Sequence, residues 1–129
     1  MQGVLYFVMQ NLLIMVAVIF EVMPSEGKQD EYFTIAEQLR PELDKIPGFI
    51  SIERFQSITH PGKILSLSFW NDEESVRQWR NIGTHRKAQT AGRKSVFRDY
   101  RLRVAHVVRD YGLTARAQAP VDSKLFHDQ

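Results

Sequence analysis

The chain has 129 residues, with 17 Lys and Arg against 15 Asp and Glu, a formal net charge of +2, and no cysteine. Without cysteine it can form no disulfide, thiolate metal site or cysteine nucleophile. The two signs of charge are interspersed along the sequence, so no basic footprint for nucleic acid is present and we predict no nucleic-acid partner. This length suffices for one domain with its own hydrophobic core.

The first 22 residues contain no Lys or Arg and are long enough to span a bilayer. Gln10 and Asn11 would place two amides near the middle of such a span, where polar groups are costly. The first basic residue is Lys28, after the apolar run has ended. A secretory signal peptide would need basic residues before that run, so it is disfavoured, and no positive charge marks a cytoplasmic flank of a membrane span. We therefore expect a cytoplasmic protein without membrane insertion, with residues 1–14 as an apolar N-terminal extension.

Residues 14–22 form a continuous apolar run with β-branched side chains, typical of a central strand buried on both faces. Between residues 26 and 46, apolar side chains spaced three, four and seven apart predict an amphipathic helix that Pro47-Gly48 ends. Residues 49–55 and 64–70 then predict a hairpin, with Leu65, Leu67 and Phe69 on one face of its second strand.

A second helix is predicted after the hairpin. Asn71 and Glu74 have the spacing of a capping box, and Val76 and Trp79 are expected to point inward from the helix that follows. After the interruption at Asn81-Ile-Gly83, Thr84 is expected to cap a second helical piece that extends to about Phe97.

Residues 100–111 alternate between apolar and charged side chains and predict the last strand, which is followed by a polar tail at 113–129. The resulting order of elements is βαββαβ, so we predict an α+β, ferredoxin-like domain over residues 15–112.

Six short stretches together form a family pattern: Val16–Val22, Ile46–Phe49, Ser68–Glu74, Trp79-Arg80, His85–Gln89 and Phe97–Tyr100. The pattern resembles the antibiotic biosynthesis monooxygenase (ABM) domain family, particularly its small bacterial members. The resemblance implies a dimeric α+β barrel, in which two ferredoxin-like halves pack sheet against sheet and each keeps a pocket between its helices and its own sheet. A homodimer is also expected because several predicted strands are apolar on both faces and helices can cover only one.

The family resemblance implies two kinds of chemistry. In one branch, cofactor-free enzymes deprotonate a polyphenolic substrate whose anion reacts directly with dioxygen. The other branch degrades heme and has an Asn on the first strand, a Trp on the second helix and an axial His ten residues later. Trp79 matches that Trp, but Gln89 stands where the His is expected, and no Asn occurs between Met15 and Met23. A neutral amide is a poor axial ligand, so heme is the minority alternative.

His85 is the predicted proton acceptor. In the first turn of a helix, the positive end of the helix dipole disfavours imidazolium, and a neutral imidazole is what a general base requires. The alternative is a histidine that merely helps cap its helix or faces solvent. No two His residues have the spacing of a helical metal site, and no P-loop, dinucleotide or nucleophile-elbow motif is present in the sequence, so we expect no metal and no cofactor.

The remaining candidates surround His85 in the prediction. Trp79 is either a core residue or a pocket wall that stacks on a flat ligand, and Gln89 could hydrogen-bond a substrate oxygen. The predicted substrate-binding residues are Arg86, Trp70 and Tyr100, although Trp70 also suits packing and Arg86 also suits a solvated charge. His106 alternates with apolar residues and is expected to be an interior or interface histidine.

The preferred function from sequence is a cofactor-independent monooxygenase that acts on a small, planar, electron-rich organic molecule by deprotonation and direct reaction with dioxygen. Two alternatives stay open. One is a non-catalytic dimeric module for ligand binding or protein interaction, because fold does not fix reaction. The other is a heme-binding or heme-degrading protein.

Overall fold

The computed structural model describes residues 15–129, which form a four-stranded antiparallel sheet with helices packed on one face. The strands are β1 (Met15–Pro24), β2 (Phe49–Gln56), β3 (Ile64–Trp70) and β4 (Phe97–Val107). The helices are α1 (Gln29–Leu43), α2 (Glu73–Asn81), α3 (Gly83–Ala91) and α4 (Val121–His127), and a π-helical turn at Gly92–Val96 joins α3 to β4. The α+β ferredoxin-like prediction is confirmed, while the predicted extension at residues 1–14 lies outside the described residues.

Strand β1 lies in the interior of the sheet, as its continuous apolar run predicts. The strand order is β2-β3-β1-β4, and both neighbours of β1 run antiparallel to it. The register pairs Val16 with Trp70 on one side and with His106 on the other. Because alternate residues of a strand point to opposite faces, Val16, Val18, Phe20 and Val22 all point toward the helices.

The helix-covered face of the sheet has two separate hydrophobic clusters. The Trp70 cluster consists of Val16, Leu43, Ile46, Trp70 and Val76. The Val22 cluster consists of Val22, Tyr32, Ile64 and Val96. One end of β1 and of β3 belongs to each cluster. Between these ends, the only β3 side chains on the helix-covered face are those of Ser66 and Ser68, which are small. The helices are therefore held against the sheet at both ends, with room for a cavity between them.

The helix starts differ from the predicted ones by one or two residues. Asp72, rather than Asn71, caps α2, and its Oδ1 accepts a hydrogen bond from the Ser75 backbone N–H at 2.8 Å. Ile82 alone separates α2 from α3 and is the extended N-cap of α3. Thr84 lies inside α3, so the prediction that it caps the helix is wrong.

Strand β4 begins at Phe97, three residues earlier than predicted, because β1 continues to Pro24 and pairs with it there. A register shift between Met23 and Pro24 accommodates the extra pairing. Near the other end of β4, the side chain of His106 is 60% exposed, and its Nε2 lies 3.8 Å from a Glu73 carboxylate oxygen. The prediction of an interior histidine is therefore wrong, and the interface alternative stays a prediction.

The segment after β4 contains the short helix α4 and is organised around Arg116. The Arg116 guanidinium lies 3.1 Å from Asp128 Oδ1, donates to Ser123 Oγ at 2.6 Å and lies over the Tyr111 ring. Within residues 15–129, no helix is both long and apolar enough to cross a membrane.

Replacing Gly48 by alanine is expected to lower the free energy of unfolding by about 2 to 4 kcal/mol. Gly48 has φ +93°, and an added Cβ would overlap Ser75 Oγ and lie 3.0 Å from Ser75 Cβ. Ser75 cannot easily move, because its Oγ lies 2.8 Å from both the Pro47 carbonyl oxygen and Asp72 Oδ1. Urea unfolding of G48A measures the loss.

The matched control for G48A is Gly62→Ala, because an added Cβ at Gly62 has nothing within 4 Å. This control is expected to stay within about 0.5 kcal/mol of the wild type. Equal stabilities of the two variants would contradict the conclusion that position 48 requires glycine.

Candidate functional site

A cavity of about 330 Å³ lies between the helices and the sheet, between the Trp70 and Val22 clusters. Its floor is formed by side chains of the two middle strands, namely Val18, Phe20, Ser66 and Ser68. Helix α1 supplies one wall, and the second wall comes from α2 and α3. The two serines are short, which is why this part of the sheet is not filled by its own side chains.

The lining is mostly apolar, and its charged groups are all of one sign. Arg54, Arg80 and Arg93 line the cavity, whereas no Asp or Glu among residues 15–129 does so. Arg54 is half-buried, while Arg80 and Arg93 are exposed. The cavity therefore suits a largely apolar molecule and favours a negative charge over a positive one.

His85 lines this cavity from the first turn of α3 and is half-buried. Its Nδ1 lies 2.9 Å from the carbonyl oxygen of Trp79. A carbonyl oxygen only accepts hydrogen bonds, so Nδ1 carries the hydrogen and the neutral ring keeps its lone pair on Nε2. His85 neither caps α3 nor faces open solvent, and its free nitrogen has the state that a general base requires.

The surroundings of His85 keep its ring uncharged. Burial lowers the pKa of His85 below its usual value of 6.5, the positive charge of Arg86 lowers this pKa further, and the hydrogen bond to Trp79 opposes both effects. The imidazole also stacks on the Trp79 indole, with ring centroids 4.2 Å apart and planes inclined by 23°. This contact holds the imidazole in a defined orientation at the cavity wall.

Gln89 and Arg86 form a polar pair on the same helix as His85, but only Gln89, one turn beyond His85, lines the cavity. The Arg86 guanidinium donates to Gln89 Oε1 at 3.2 Å and to the side chain of Asn81 at the protein surface. Gln89 Nε2 in turn donates to the Arg80 carbonyl oxygen at 3.3 Å. Arg86 thus holds the Gln89 amide and does not itself reach the cavity.

Trp79, Trp70 and Tyr100 all line the cavity but differ in exposure. Trp79 is half-buried beside His85 and presents part of its ring to the cavity. Trp70 is only 1% exposed and donates from Nε1 to Ser68 Oγ at 2.9 Å, so its main contacts are with the core. Tyr100 is 39% exposed, and its hydroxyl accepts a hydrogen bond from Arg93 at 3.0 Å.

The sequence did not single out six polar residues that line the cavity: Tyr32, Arg54, Ser66, Ser68, Arg80 and Arg93. Arg54 Nε donates to Tyr32 Oη at 3.4 Å, and Arg54 pairs directly with Ser66 across the hairpin. A signal was present, because Arg54 is two residues from Ile52 in a predicted strand and therefore shares its face. Only the hairpin register, however, places the serine beside it.

The stability of the domain is expected to fall below pH 6.5 because of His85. Since the folded-state pKa of His85 is lowered, the unfolded chain binds the proton more readily between 6.5 and that lower value. The contribution of neutral His85 is fully present above pH 6.5 and decreases as the pH falls through the folded pKa. Urea unfolding at about pH 7.5 and about pH 5 measures the difference.

The pH-dependence of unfolding is best compared with that of His85→Gln, which keeps a donor for the Trp79 carbonyl but does not titrate. The wild type is expected to lose more stability on acidification than this variant does. Identical pH-dependences in the two proteins would contradict the assignment to His85.

Comparison with known proteins agrees with the fold. The family model for antibiotic biosynthesis monooxygenase matches residues 15–91. The chain is 54% identical over 93 residues to the "Jasmonate monooxygenase ABM" of Pyricularia oryzae, covering 72% of this chain and 43% of that protein. It is 30% identical over 93 residues to the uncharacterized protein YqjZ of Bacillus subtilis, covering 72% and 79%. The chain thus spans less than half the length of the Pyricularia relative.

Solved structures share the fold at low sequence identity. SnoaB from Streptomyces nogalater, described as a cofactor-independent oxygenase, superposes with a TM-score of 0.64 at 12% identity, covering 74% of this chain and 95% of that one. Rv0793 from Mycobacterium tuberculosis superposes with a TM-score of 0.68 at 13% identity, covering 76% and 99%. Together with the family match over residues 15–91, the fold and the two curated relatives lead to one conclusion: this chain belongs to the antibiotic biosynthesis monooxygenase family.

Proposed function

We propose that this domain is a cofactor-independent monooxygenase that acts on a small, planar, electron-rich organic molecule. The observation that carries the proposal is the placement of His85, which is hydrogen-bonded through Nδ1 to the Trp79 carbonyl and forms part of an apolar cavity wall, where burial lowers its pKa. A base in such a cavity can remove a proton from a substrate whose anion is stabilised by conjugation. Such an anion is the species that reacts with dioxygen without flavin or metal.

The proposed reaction begins when His85 Nε2 takes a proton from an activated CH₂ group of the substrate. The carbanion transfers its electrons to dioxygen and forms a C–O bond, and protonation by the imidazolium gives a hydroperoxide. Loss of water from the hydroperoxide leaves a C=O group, so one oxygen atom enters the product and the other leaves as water. The substrate supplies all four electrons that reduce dioxygen.

The other residues of the site have supporting roles in this proposal. The exposed part of the Trp79 ring stacks against the flat substrate, and the Gln89 amide, held by Arg86, orients a substrate oxygen. Tyr100 and Trp70 form the wall that contacts the substrate on the side of the sheet. The names of the Pyricularia relative, a monooxygenase, and of SnoaB, a cofactor-independent oxygenase, support this class of reaction.

We also propose that the domain forms a homodimer through the sheet face opposite the helices. Ile19, Leu65, Leu67 and Phe69 are only half-buried on this face, and Phe55 beside them is 43% exposed. The register places them together, because Ile19 pairs with Leu67 and Leu65 with Phe55. A second copy presenting the same face would cover this apolar strip, as a two-fold interface requires.

Oxygen uptake tests the catalytic proposal. The purified protein, treated with EDTA, is mixed with dithranol, a naphthohydroquinone or jasmonic acid under ¹⁸O₂, and the product is analysed by mass spectrometry. We expect uptake with at least one compound and one labelled oxygen atom in its product. Binding without uptake across the panel would favour the non-catalytic module, and a Soret shift with degradation of added hemin would favour the heme alternative.

Native mass spectrometry tests the dimer. The wild type is expected at twice the subunit mass, while Leu67→Asp, which places a charge at the centre of the apolar strip, is expected as a monomer. Ile58→Asp is the control, because Ile58 is 97% exposed in the β2–β3 loop. A monomeric wild type would refute the interface.

A further inference from the structure

We propose that Arg54, Tyr32 and Ser66 form a carboxylate-binding corner of the cavity, so that the molecule bound there is an apolar organic acid. That this acid is the substrate rests on the proposed function, whereas the binding of its carboxylate does not. The residues of the corner lie on β2, β3 and α1, whereas Trp79 lies on α2 and His85 on α3. It therefore supplies a second, separate point of attachment for a ligand that also contacts His85.

The geometry of the hairpin builds this corner. Arg54 on β2 and Ser66 on β3 are direct cross-strand partners, so their side chains lie next to each other on the helix-covered face. Tyr32, from α1, approaches the same place and accepts a hydrogen bond from Arg54 Nε at 3.4 Å. The Arg54 guanidinium also lies 5.9 Å from the centre of the Tyr32 ring. Both contacts hold the guanidinium in place with neutral groups and leave its charge uncompensated.

The charge of Arg54 has no carboxylate partner among residues 15–129. The ion pairs of the described chain involve other residues, and no Asp or Glu in this part lines the cavity. A guanidinium stays charged at any physiological pH and presents a planar fork of donors that matches a carboxylate. Within residues 15–129, its two terminal nitrogens donate no hydrogen bond. A half-buried cation with free donors in an apolar cavity is a recognition site for an anion.

The other two arginines of the cavity are less suited to this role. Arg80 and Arg93 are exposed, so water screens their charges, and Arg93 already donates to the Tyr100 hydroxyl. Ser66 strengthens the choice of Arg54, because its side chain is 7% exposed, lines the cavity and has no hydrogen-bond partner among the described residues. A bound carboxylate would accept hydrogen bonds from both Arg54 and Ser66 with one or both of its oxygens.

Binding of a matched acid and ester tests the corner without relying on catalysis. The probes are 1-naphthylacetate and its methyl ester, which share one flat apolar body and differ in charge, and binding is followed by calorimetry. The wild type is expected to bind the acid about tenfold more tightly than the ester, the size of one charge-assisted hydrogen-bonded contact. In Arg54→Gln this ratio is expected to fall to about one.

Three further variants separate the possible outcomes. Arg54→Lys keeps the charge but not the planar fork of donors, so an intermediate ratio of acid to ester affinity is expected. This variant replaces Arg54→Gln as the test if the glutamine variant fails to fold. Arg109→Gln, at an exposed arginine that does not line the cavity, is expected to keep the wild-type ratio. His85→Ala is expected to keep it too while losing oxygen uptake, which separates failure of the corner from failure of the proposed reaction. An unchanged ratio in folded R54Q, or a loss of the ratio in R109Q alone, would overturn the proposal.

Discussion

His85→Ala is expected to lower kcat/KM for oxygen consumption by about 10²- to 10⁴-fold, the usual contribution of a positioned general base. The variant removes the nitrogen that we propose accepts the substrate proton. Its effect should fall mainly on kcat, because the apolar walls that bind the substrate stay in place. Initial rates from an oxygen electrode, over a range of substrate concentrations, separate kcat from KM.

Two comparisons show whether this loss is specific to His85. His60→Ala is the matched control, because His60 lies in the exposed β2–β3 loop and does not line the cavity. It is expected to keep wild-type rates. In the wild type, kcat/KM is expected to fall on the acid side with a midpoint below 6.5, because the pKa of His85 is lowered by burial. Full activity of H85A would show that another group takes the proton.

Trp70→Ala is expected to reduce the free energy of unfolding by about 3 to 5 kcal/mol, as for other large aromatic side chains removed from a core. The Trp70 ring is 1% exposed and packs edge-on against Phe49, with centroids 5.2 Å apart. The variant also removes the donor that satisfies Ser68 Oγ. Chemical denaturation followed by circular dichroism measures the loss, since tryptophan fluorescence would change with the substitution itself.

Trp79→Ala is the matched comparison for Trp70→Ala, because Trp79 is half-buried and faces the cavity. We expect W79A to lose less stability than W70A and to lose more affinity for a flat ligand. If W70A were as stable as the wild type but no longer bound ligand, Trp70 would be a binding residue and not part of the core.

Much of the fold follows from periodicity. The apolar run of β1, broken only by Glu21, predicted a central strand, and the structure places that strand inside the sheet between β3 and β4. Helices cover one of its faces, while Ile19 on the other face is half-buried. The alternating strands around a turn predicted the β2–β3 hairpin, and spacing of the helical type predicted α1. These elements could be predicted because their signals repeat over seven or more residues, so that one atypical position changes little.

Single-residue features were less predictable. Whether Asn71 or Asp72 caps α2 depends on which backbone N–H the side chain reaches, and the two neighbouring residues have nearly equal cap preferences. Strand β4 begins at Phe97 because its partner β1 continues to Pro24, which is a property of the pairing and not of β4 alone. The local sequence of β4 therefore could not predict where the strand begins.

The candidate site shows the same division. Residue type, position in a helix and the family resemblance together singled out His85, Trp79 and Gln89, because few side chains can move a proton, stack on a flat ring or orient an oxygen. The tautomer of His85 depends on the carbonyl of Trp79, which lies six residues away across the α2–α3 junction. Its lowered pKa depends on burial by other elements.

The composition, the chemistry-bearing residues and the βαββαβ order could be read from the amino-acid sequence, because each is carried by local pattern. The family resemblance implied a pocket between the helices and the sheet, but its floor could not be read from the sequence, since it depends on Ser66 and Ser68 facing the helices while Leu65, Leu67 and Phe69 face away. The alternation of β3 is equally compatible with either orientation. The packing of α1, α2 and α3 against the two hydrophobic clusters determines which face of β3 points toward the helices. The same packing places Arg54 beside the uncharged floor of the cavity.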